Sequence, residues 1–387
     1  MFLISDSDNL HAFCAKAAES SYVTVDTEFI REKTYWPQLC LVQLAIENTA
    51  VAIDALEENL DLTPLINLLE NRNVLKVFHS ARQDIEIFFE ISGQIPSPLF
   101  DTQIAAMACG YGDSVGYERL VRDYTKHNID KTIRFTDWSK RPLSPKQIDY
   151  ALGDVTFLRK IYEKLSENLN ETGRTPWLKE ELETLTNPRT YSVKPEEVWK
   201  RLKARSRKPK SLAALRALAS WRETKAQEFN VPRNRVIKDG SIIEIAAQHP
   251  NNIEELMQLR ALKLDKLKRD WANQIIEILY HIDCMDPSNY PSPPDKPRKP
   301  LETGPVTDLL KLLLKFVCDK HNVAQKLVAT SSDIEAIIVD DQANVPALNG
   351  WRNDLFGKHA LRLKHGKIAL KGNGQKIELV ELGSKVT

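Results

Sequence analysis

The chain has 387 residues, 42% apolar and 28% charged, with a formal net charge of +1. That length is too great for one ordinary domain and predicts two or three, each able to bury a sizeable core. The composition is that of a soluble globular protein. The opening "MFLISDSDNL" lacks the basic start and long apolar run of a signal peptide, which predicts a cytoplasmic protein. The most apolar helix-like run, residues 309–318, is too short to span a bilayer and carries Lys311 and Lys315, so no membrane segment is expected. Five cysteines, scattered and never spaced Cys-x-x-Cys, argue against a disulfide framework or a zinc site.

In chain order, the first strong signal is "YVTVDTEFIREKTYWPQLCLVQLA" at 22–45. Strand side chains alternate, so Asp26 and Glu28 share one face while Val23, Val25, Thr27 and Phe29 take the other. Two carboxylates on one face of a half-dry strand repel each other unless a cation sits between them. Residues 39–46, 49–56 and 73–80 are short apolar runs that predict sheet neighbours. Ser80 with Gln83 predicts a capping box opening a helix whose apolar face is Ala81, Ile85, Phe88 and Phe89. Asp101 reads as the N-cap of the next helix. Ser144, Pro145 and Gln147 predict the start of a long helix over 145–168, with Ile148, Ala151, Leu152, Val155, Leu158 and Leu165 as its buried stripe. Strands alternating with helices make residues 1–190 an α/β domain with a mixed sheet.

Beyond residue 195 strand signals nearly vanish. Residues 191–210 read as a basic linker, 211–286 as a small helical bundle, and 287–302 as a proline-rich, semi-rigid linker. A third unit at 303–387 is again helical and ends in a short hairpin-like tail. Charge divides along the same line. Residues 1–190 hold 20 basic against 29 acidic residues, a balance of −9, and the remaining 34 and 24 give +10. The stretch 200–210 has seven basic residues and no acid: Lys200, Arg201, Lys203, Arg205, Arg207, Lys208 and Lys210. Such a block is either a solvated linker or the footprint of a polyanion partner.

The chemistry-bearing residues fall in a fixed order. Asp26 and Glu28 lie on the first strong strand, Asp84 in the first turn of a helix, and Tyr150 and Asp154 at i and i+4 on a later helix. Each alone has an ordinary explanation: a sheet rim, a helix-dipole preference, an edge-of-core Tyr–Asp pair. Together they resemble the DEDD superfamily of 3′-to-5′ exonucleases in its tyrosine branch. The segments "VDTEFIREKTYWPQLCLVQL", "FHSARQDIEIF", "TDWSKRPL" and "YALGDVTFLRKIY" resemble the ribonuclease D family within it. Residues 212–250 resemble the HRDC domain, and the terminal unit resembles a second one more loosely. The resemblance implies an α/β ribonuclease H-like catalytic domain with a mixed sheet, followed by two small all-α HRDC-like domains.

Oxygen ligands without His or Cys select Mg²⁺ or Mn²⁺, and two such ions about 4 Å apart can stabilise both the attacking and the leaving oxygen of a phosphoryl displacement. The resemblance implies that Asp26, Glu28 and Asp154 hold the tighter ion, with Asp26 bridging to a second. It implies too that Asp84 acts through water or that second ion and that Tyr150 orients the attacking water. The expected activity is a metal-dependent 3′-to-5′ exoribonuclease releasing nucleoside 5′-monophosphates. By resemblance its substrates are expected to be tRNA precursors and other small structured RNAs with a free 3′-hydroxyl, and the protein is expected to be a monomer. A DNA exonuclease stays open, because the acids do not test for a 2′-hydroxyl. A non-catalytic nucleic-acid adaptor is disfavoured because all four acids are present. Tyr35 and Trp36 are either base-stacking residues or, more in keeping with burial preference, core. Arg31 and Lys33 are either phosphate contacts or plain surface charge. His79 reads as structural.

Overall fold

The computed structural model describes residues 3–203, 206, 208–262, 268–292 and 304–382. Arg205, Arg207 and most of the proline-rich segment lie outside the described residues. Strands β1 (Leu3–Ile4), β2 (Tyr22–Ile30), β3 (Gln38–Ile46), β4 (Thr49–Asp54), β5 (Leu75–Phe78) and β6 (Leu99–Asp101) form one sheet in the order β1-β4-β3-β2-β5-β6. β2, β3 and β4 are an antiparallel meander, whereas β1, β5 and β6 join by parallel pairing. Every residue of β3 after Gln38 is buried. This is the continuous apolar reading of a strand covered on both faces.

Helices α1 (Ser7–Ala17), α2 (Thr63–Glu70) and α3 (Arg82–Ser92) cover one face, packing Leu10, Leu65, Ile85 and Phe88 against Val23 and Val25. Helices α4 (Thr102–Ala108), α5 (Tyr117–Thr125) and α6 (Pro145–Glu171) cover the other, and α7 (Lys179–Leu185) follows. The alternation read from β2 holds. Thr24, on the face of Asp26, donates to the Val155 carbonyl of α6 at 2.8 Å, while Thr27, on the other, reaches Asp84 of α3. The Ser144–Gln147 capping box opens α6 as expected and the helix runs to Glu171.

The Ser80–Gln83 capping box does not form. Ser80 has a left-handed backbone, φ 61°, and α3 starts after Ala81 with no side-chain cap of its own. The reason lies across the sheet. The Asp101 carboxylate accepts from the Ser80 and Ala81 N–H groups (3.1 and 2.8 Å) while it N-caps α4 through Gln103 and Ile104. One buried acid therefore fixes the starts of two helices, and a distant carboxylate outcompetes the local cap.

The C-terminal half is helical but not merely appended. A 3₁₀ helix at Pro195–Arg201 leads into α8 (Pro209–Glu228), α9 (Arg233–Val236), α10 (Asp239–Gln248), α11 (Ile253–Gln258) and α12 (Arg269–Asp283). Val198 in the 3₁₀ helix is buried, so part of the basic stretch rides on packed backbone. A second unit contains α13 (Pro305–His321), α14 (Gln325–Val328), α15 (Ser331–Val339), α16 (Gly350–Arg352) and α17 (Lys358–Lys364), closed by the hairpin β7 (Ile368–Asn373) and β8 (Lys376–Glu381). Its Leu310, Leu313, Val317 and Phe356 belong to the same core as Ala105, Leu120, Leu158 and Leu165 of the α/β part. Arg174 donates to carbonyl oxygens of Ala108, His321 and Asn322 (2.8, 2.6 and 3.1 Å), and Trp177 stacks on Trp351 at 4.1 Å. Gly110, at φ +85°, lets Asn322 approach where any Cβ would collide with it.

Candidate active site

Asp26 and Glu28 project from β2 and Asp154 from α6, each placing one carboxylate oxygen within 4.8 Å of the others. Asp84, from the first turn of α3, stands outside that trio and accepts a 2.5 Å hydrogen bond from the Thr27 hydroxyl. All four acids and Tyr150 line one cavity of 470 Å³, together with His79, Tyr117, Glu118 and Arg134. The spacing expected from sequence thus converges on a single mouth.

The electrostatics show what kind of group the mouth suits. Burial, and then the charge of Asp154, pushes the Asp26 carboxyl well above the usual carboxylate range. Glu28 is pushed up to about 10 by burial and by Asp26, Asp154 and Asp84. Asp154 is raised to about 7 by burial, against a hydrogen bond from Tyr150 and the charge of Arg134. Asp84 is raised by burial and by Asp26. Carboxyls this strained are relieved by a multivalent cation, and an all-oxygen donor set suits a hard divalent ion. Burial and the acidic neighbours raise the Tyr150 phenol above its ordinary range, so Tyr150 stays protonated and acts as a donor.

Three contributors escaped the sequence reading. Thr27 pins Asp84, and the half-buried Tyr117 donates to the main-chain oxygens of Gly153 and Asp154 (3.2 and 2.5 Å). Arg134 brings a positive charge to the cavity. Thr27 was visible as the middle of "DTE"; nothing local marks Tyr117 or Arg134. His79 is structural as read: burial lowers its pKa and its Nδ1 lies 3.0 Å from the Thr102 hydroxyl.

The weaker expectations divide. Tyr35 is not available to RNA. It is 4% exposed, and its phenol lies in a network with Glu223, Gln227 and Arg233 of the helical unit, so the core reading holds. Trp36 packs partly buried beside it, and Asn230 Oδ1 accepts from both backbone N–H groups. The loop between β2 and β3 is thus a docking peg. Arg31 is engaged by Glu86 in a two-pronged pair at 2.9 and 3.0 Å, and Lys33 is exposed. Lys210 pairs with Asp283 at 2.5 Å and Lys200 approaches Glu197 at 3.8 Å, whereas Arg201, Lys203 and Lys208 are exposed.

Comparison with known proteins places this geometry. A 3′-5′ exonuclease family model matches residues 1–170 and an HRDC domain model matches residues 211–279. Ribonuclease D of Nitrobacter hamburgensis is 48% identical over 381 residues, covering 98% of this chain and 100% of that protein. The chain belongs to the ribonuclease D family. Ribonuclease D of Jannaschia sp. is 50% identical over 384 residues, covering 98% of this chain and 99% of its own length. The solved structure of Escherichia coli RNase D, described as an exoribonuclease involved in structured RNA processing, superposes with a TM-score of 0.80. It is 28% identical, with 94% of this chain and 98% of that chain covered. As a member of the family the chain is a 3′-to-5′ exoribonuclease, a hydrolase acting on RNA, and its fold implies use of a divalent metal.

Proposed function

We propose that the chain trims RNA from a free 3′-hydroxyl, releasing nucleoside 5′-monophosphates, with tRNA precursors and other small structured RNAs as substrates. The observation that carries this reading is the convergence of Asp26, Glu28 and Asp154 within 4.8 Å, beside Tyr150 and Asp84, in one cavity. The resemblance of the whole chain to an RNase D described as processing structured RNA supports the substrate class. The proposed enzyme is a cytoplasmic monomer; separately, no helix among the described residues is long and apolar enough to cross a membrane.

Asp26, Glu28 and Asp154 would hold one divalent cation, Mg²⁺ or Mn²⁺, with Asp84 contributing to a second. When bound, such ions activate water and neutralise charge gathering on the phosphate. Tyr150 offers its phenolic hydrogen to Asp154 and keeps that acid oriented, and beside it positions the water that attacks phosphorus. The bond from phosphorus to the 3′-oxygen of the preceding nucleotide breaks, leaving a new 3′-hydroxyl on the shortened RNA. The basic block at Lys200, Arg201, Lys203, Arg205, Arg207, Lys208 and Lys210 would draw RNA toward a catalytic half that by itself repels it.

Incubating the full chain with end-labelled RNA and matched DNA, in Mg²⁺ and then in EDTA, tests the reading. Stepwise mononucleotide release from RNA, abolished by EDTA, by Asp26→Asn and by a 3′-phosphate, is the expected result. Internal cuts, or full activity in Asp26→Asn, refute it, and equal attack on DNA points instead to a general 3′-5′ exonuclease.

A further inference from the structure

Between α5 and α6 runs a short 3₁₀ turn, Lys131–Phe135, that the mechanism above does not use. It is fixed at both ends. Asp130 caps its start, accepting from the Thr132 N–H and hydroxyl at 3.0 and 2.8 Å. Just beyond it the Thr136 hydroxyl accepts from Gln147 of α6 at 3.3 Å. Trp138 is buried against Leu41 and Ala151. Arg141 grips Asp54 with two hydrogen bonds, 2.6 and 2.5 Å, and the Cys40 carbonyl at 2.9 Å. The turn is therefore a set part of the cavity rim.

Its last two residues are unusual. Arg134 lines the cavity that holds Asp26, Glu28, Asp84 and Asp154, yet among the described residues it forms an ion pair with none of these acids. Its charge still reaches the site, easing the strain on Asp26, Glu28 and Asp154. An exposed guanidinium on the lining of an acidic mouth, not paired with those acids, is matched to an incoming anion. Phe135 is 85% exposed, the most exposed large apolar side chain among the described residues, and its ring lies 5.7 Å from the Arg134 guanidinium. A ring left in water at the rim of a nuclease cavity, one residue from a phosphate-seeking cation, has the geometry of a base-stacking platform.

We propose that this turn is the substrate clip of the enzyme: Arg134 binds a phosphate oxygen of the RNA in the cavity, and Phe135 stacks on a base of the strand outside it. The clip rests on the exoribonuclease reading. It also accounts for how a polyanion enters a mouth lined with acids: the guanidinium offers a positive target that does not depend on any metal. Phe135 makes the grip independent of sequence, since every base has a face to stack on.

The test uses the full chain with Arg134→Ala, Arg134→Lys, Phe135→Ala and Phe135→Trp, assayed on short single-stranded RNA for kcat and KM. Binding of the same RNA in Ca²⁺ is read by fluorescence anisotropy, and thermal unfolding with and without Mg²⁺ checks the fold. Arg134→Ala should lower kcat roughly a hundredfold, as losing one charged donor at a reacting oxyanion does, with partial recovery in Arg134→Lys. Phe135→Ala should raise KM and weaken anisotropy binding by roughly tenfold, with recovery in Phe135→Trp and no penalty on RNA made abasic near its 3′ end. Unfolding and its response to Mg²⁺ should match wild type in Arg134→Lys and both Phe135 variants. Arg134→Ala, which removes the charge that eases the acids, should stay folded, lose some stability without Mg²⁺ and regain it with Mg²⁺. An Arg134→Ala enzyme within about twofold of wild type, or a Phe135→Ala defect that persists on abasic RNA, overturns the clip while leaving the exoribonuclease reading intact. A wild-type chain that does not trim RNA takes both down.

Discussion

Asp154→Asn should make the metal-free protein more stable, although it removes a residue central to the site. Asp154 is 8% exposed and its carboxyl is raised from an ordinary 3.8 to about 7, chiefly by burial. Because the folded state holds the proton more tightly than the unfolded state, the acid's contribution is fully present below about pH 4 and is lost as pH rises through about 7. A shift of about three pKa units at about 1.4 kcal/mol each amounts to about 4 kcal/mol, a ceiling because Asp26 and Glu28 share the same strain. An asparagine does not ionise and avoids that loss. Urea unfolding in EDTA at about pH 8 should therefore find the variant more stable by up to about 4 kcal/mol, with the two proteins converging near pH 4. Saturating Mg²⁺ should stabilise wild type by mass action and the variant far less, closing or reversing the gap. A variant no more stable than wild type at pH 8 in EDTA, or one that gains as much from Mg²⁺, refutes the claim that these acids are strained in wait of a cation.

Tyr35→Ala should loosen the first helical unit, costing about 3–5 kcal/mol from the missing ring and its partners; limited proteolysis should then cut within 195–283 faster than in wild type. Asp101→Ala leaves four N–H groups without their acceptor at the starts of α3 and α4 and should cost about 3 kcal/mol in chemical denaturation, more than an ordinary cap. Tyr150→Phe should keep a measurable fraction of turnover where Asp154→Asn keeps none, since the acids that would hold the cation remain; equal loss in a single-turnover assay contradicts that ranking. Neutralising the exposed Arg201, Lys203 and Lys208 should flatten the salt dependence of tRNA binding by about 0.7–0.9 in log–log slope for each RNA phosphate they neutralise in the wild type, and an unchanged slope would leave them as plain surface charge.

The local pattern determined a good deal. Alternation along β2 places Asp26 and Glu28 on one face because the strand period is two, and the helical period stacks Tyr150 over Asp154. The Ser144 capping box forms because its partners lie within one turn. Where competing groups come from far along the chain, local reading fails. Ser80 looks like a cap but takes a left-handed backbone because Asp101 reaches its N–H from the next strand. Tyr35 sits in a polar, aromatic loop that leaves a nucleic-acid contact open beside the favoured core reading, and only Glu223 and Arg233, nearly two hundred residues away, make it a peg.

The same limit governs the domains and the rim of the site. Composition divides the chain into an acidic α/β half and a basic helical half, and this division reflects charge and periodicity carried by each segment. It gives no hint that Leu310 and Phe356 complete a core begun by Ala105 and Leu158, so a cut near residue 192 would bare apolar surface on the catalytic half. Arg134 carries no sequence signal of function; the anchoring of its turn by Asp130, Trp138 and Arg141 brings it to the acids. Sequence determined which residues could share a face and which chemistry four carboxylates demand, because both follow from backbone periods and like-charge repulsion. Tertiary structure alone decided which distant groups satisfy, shield or oppose them, because those contacts depend on distances in space that no local period encodes.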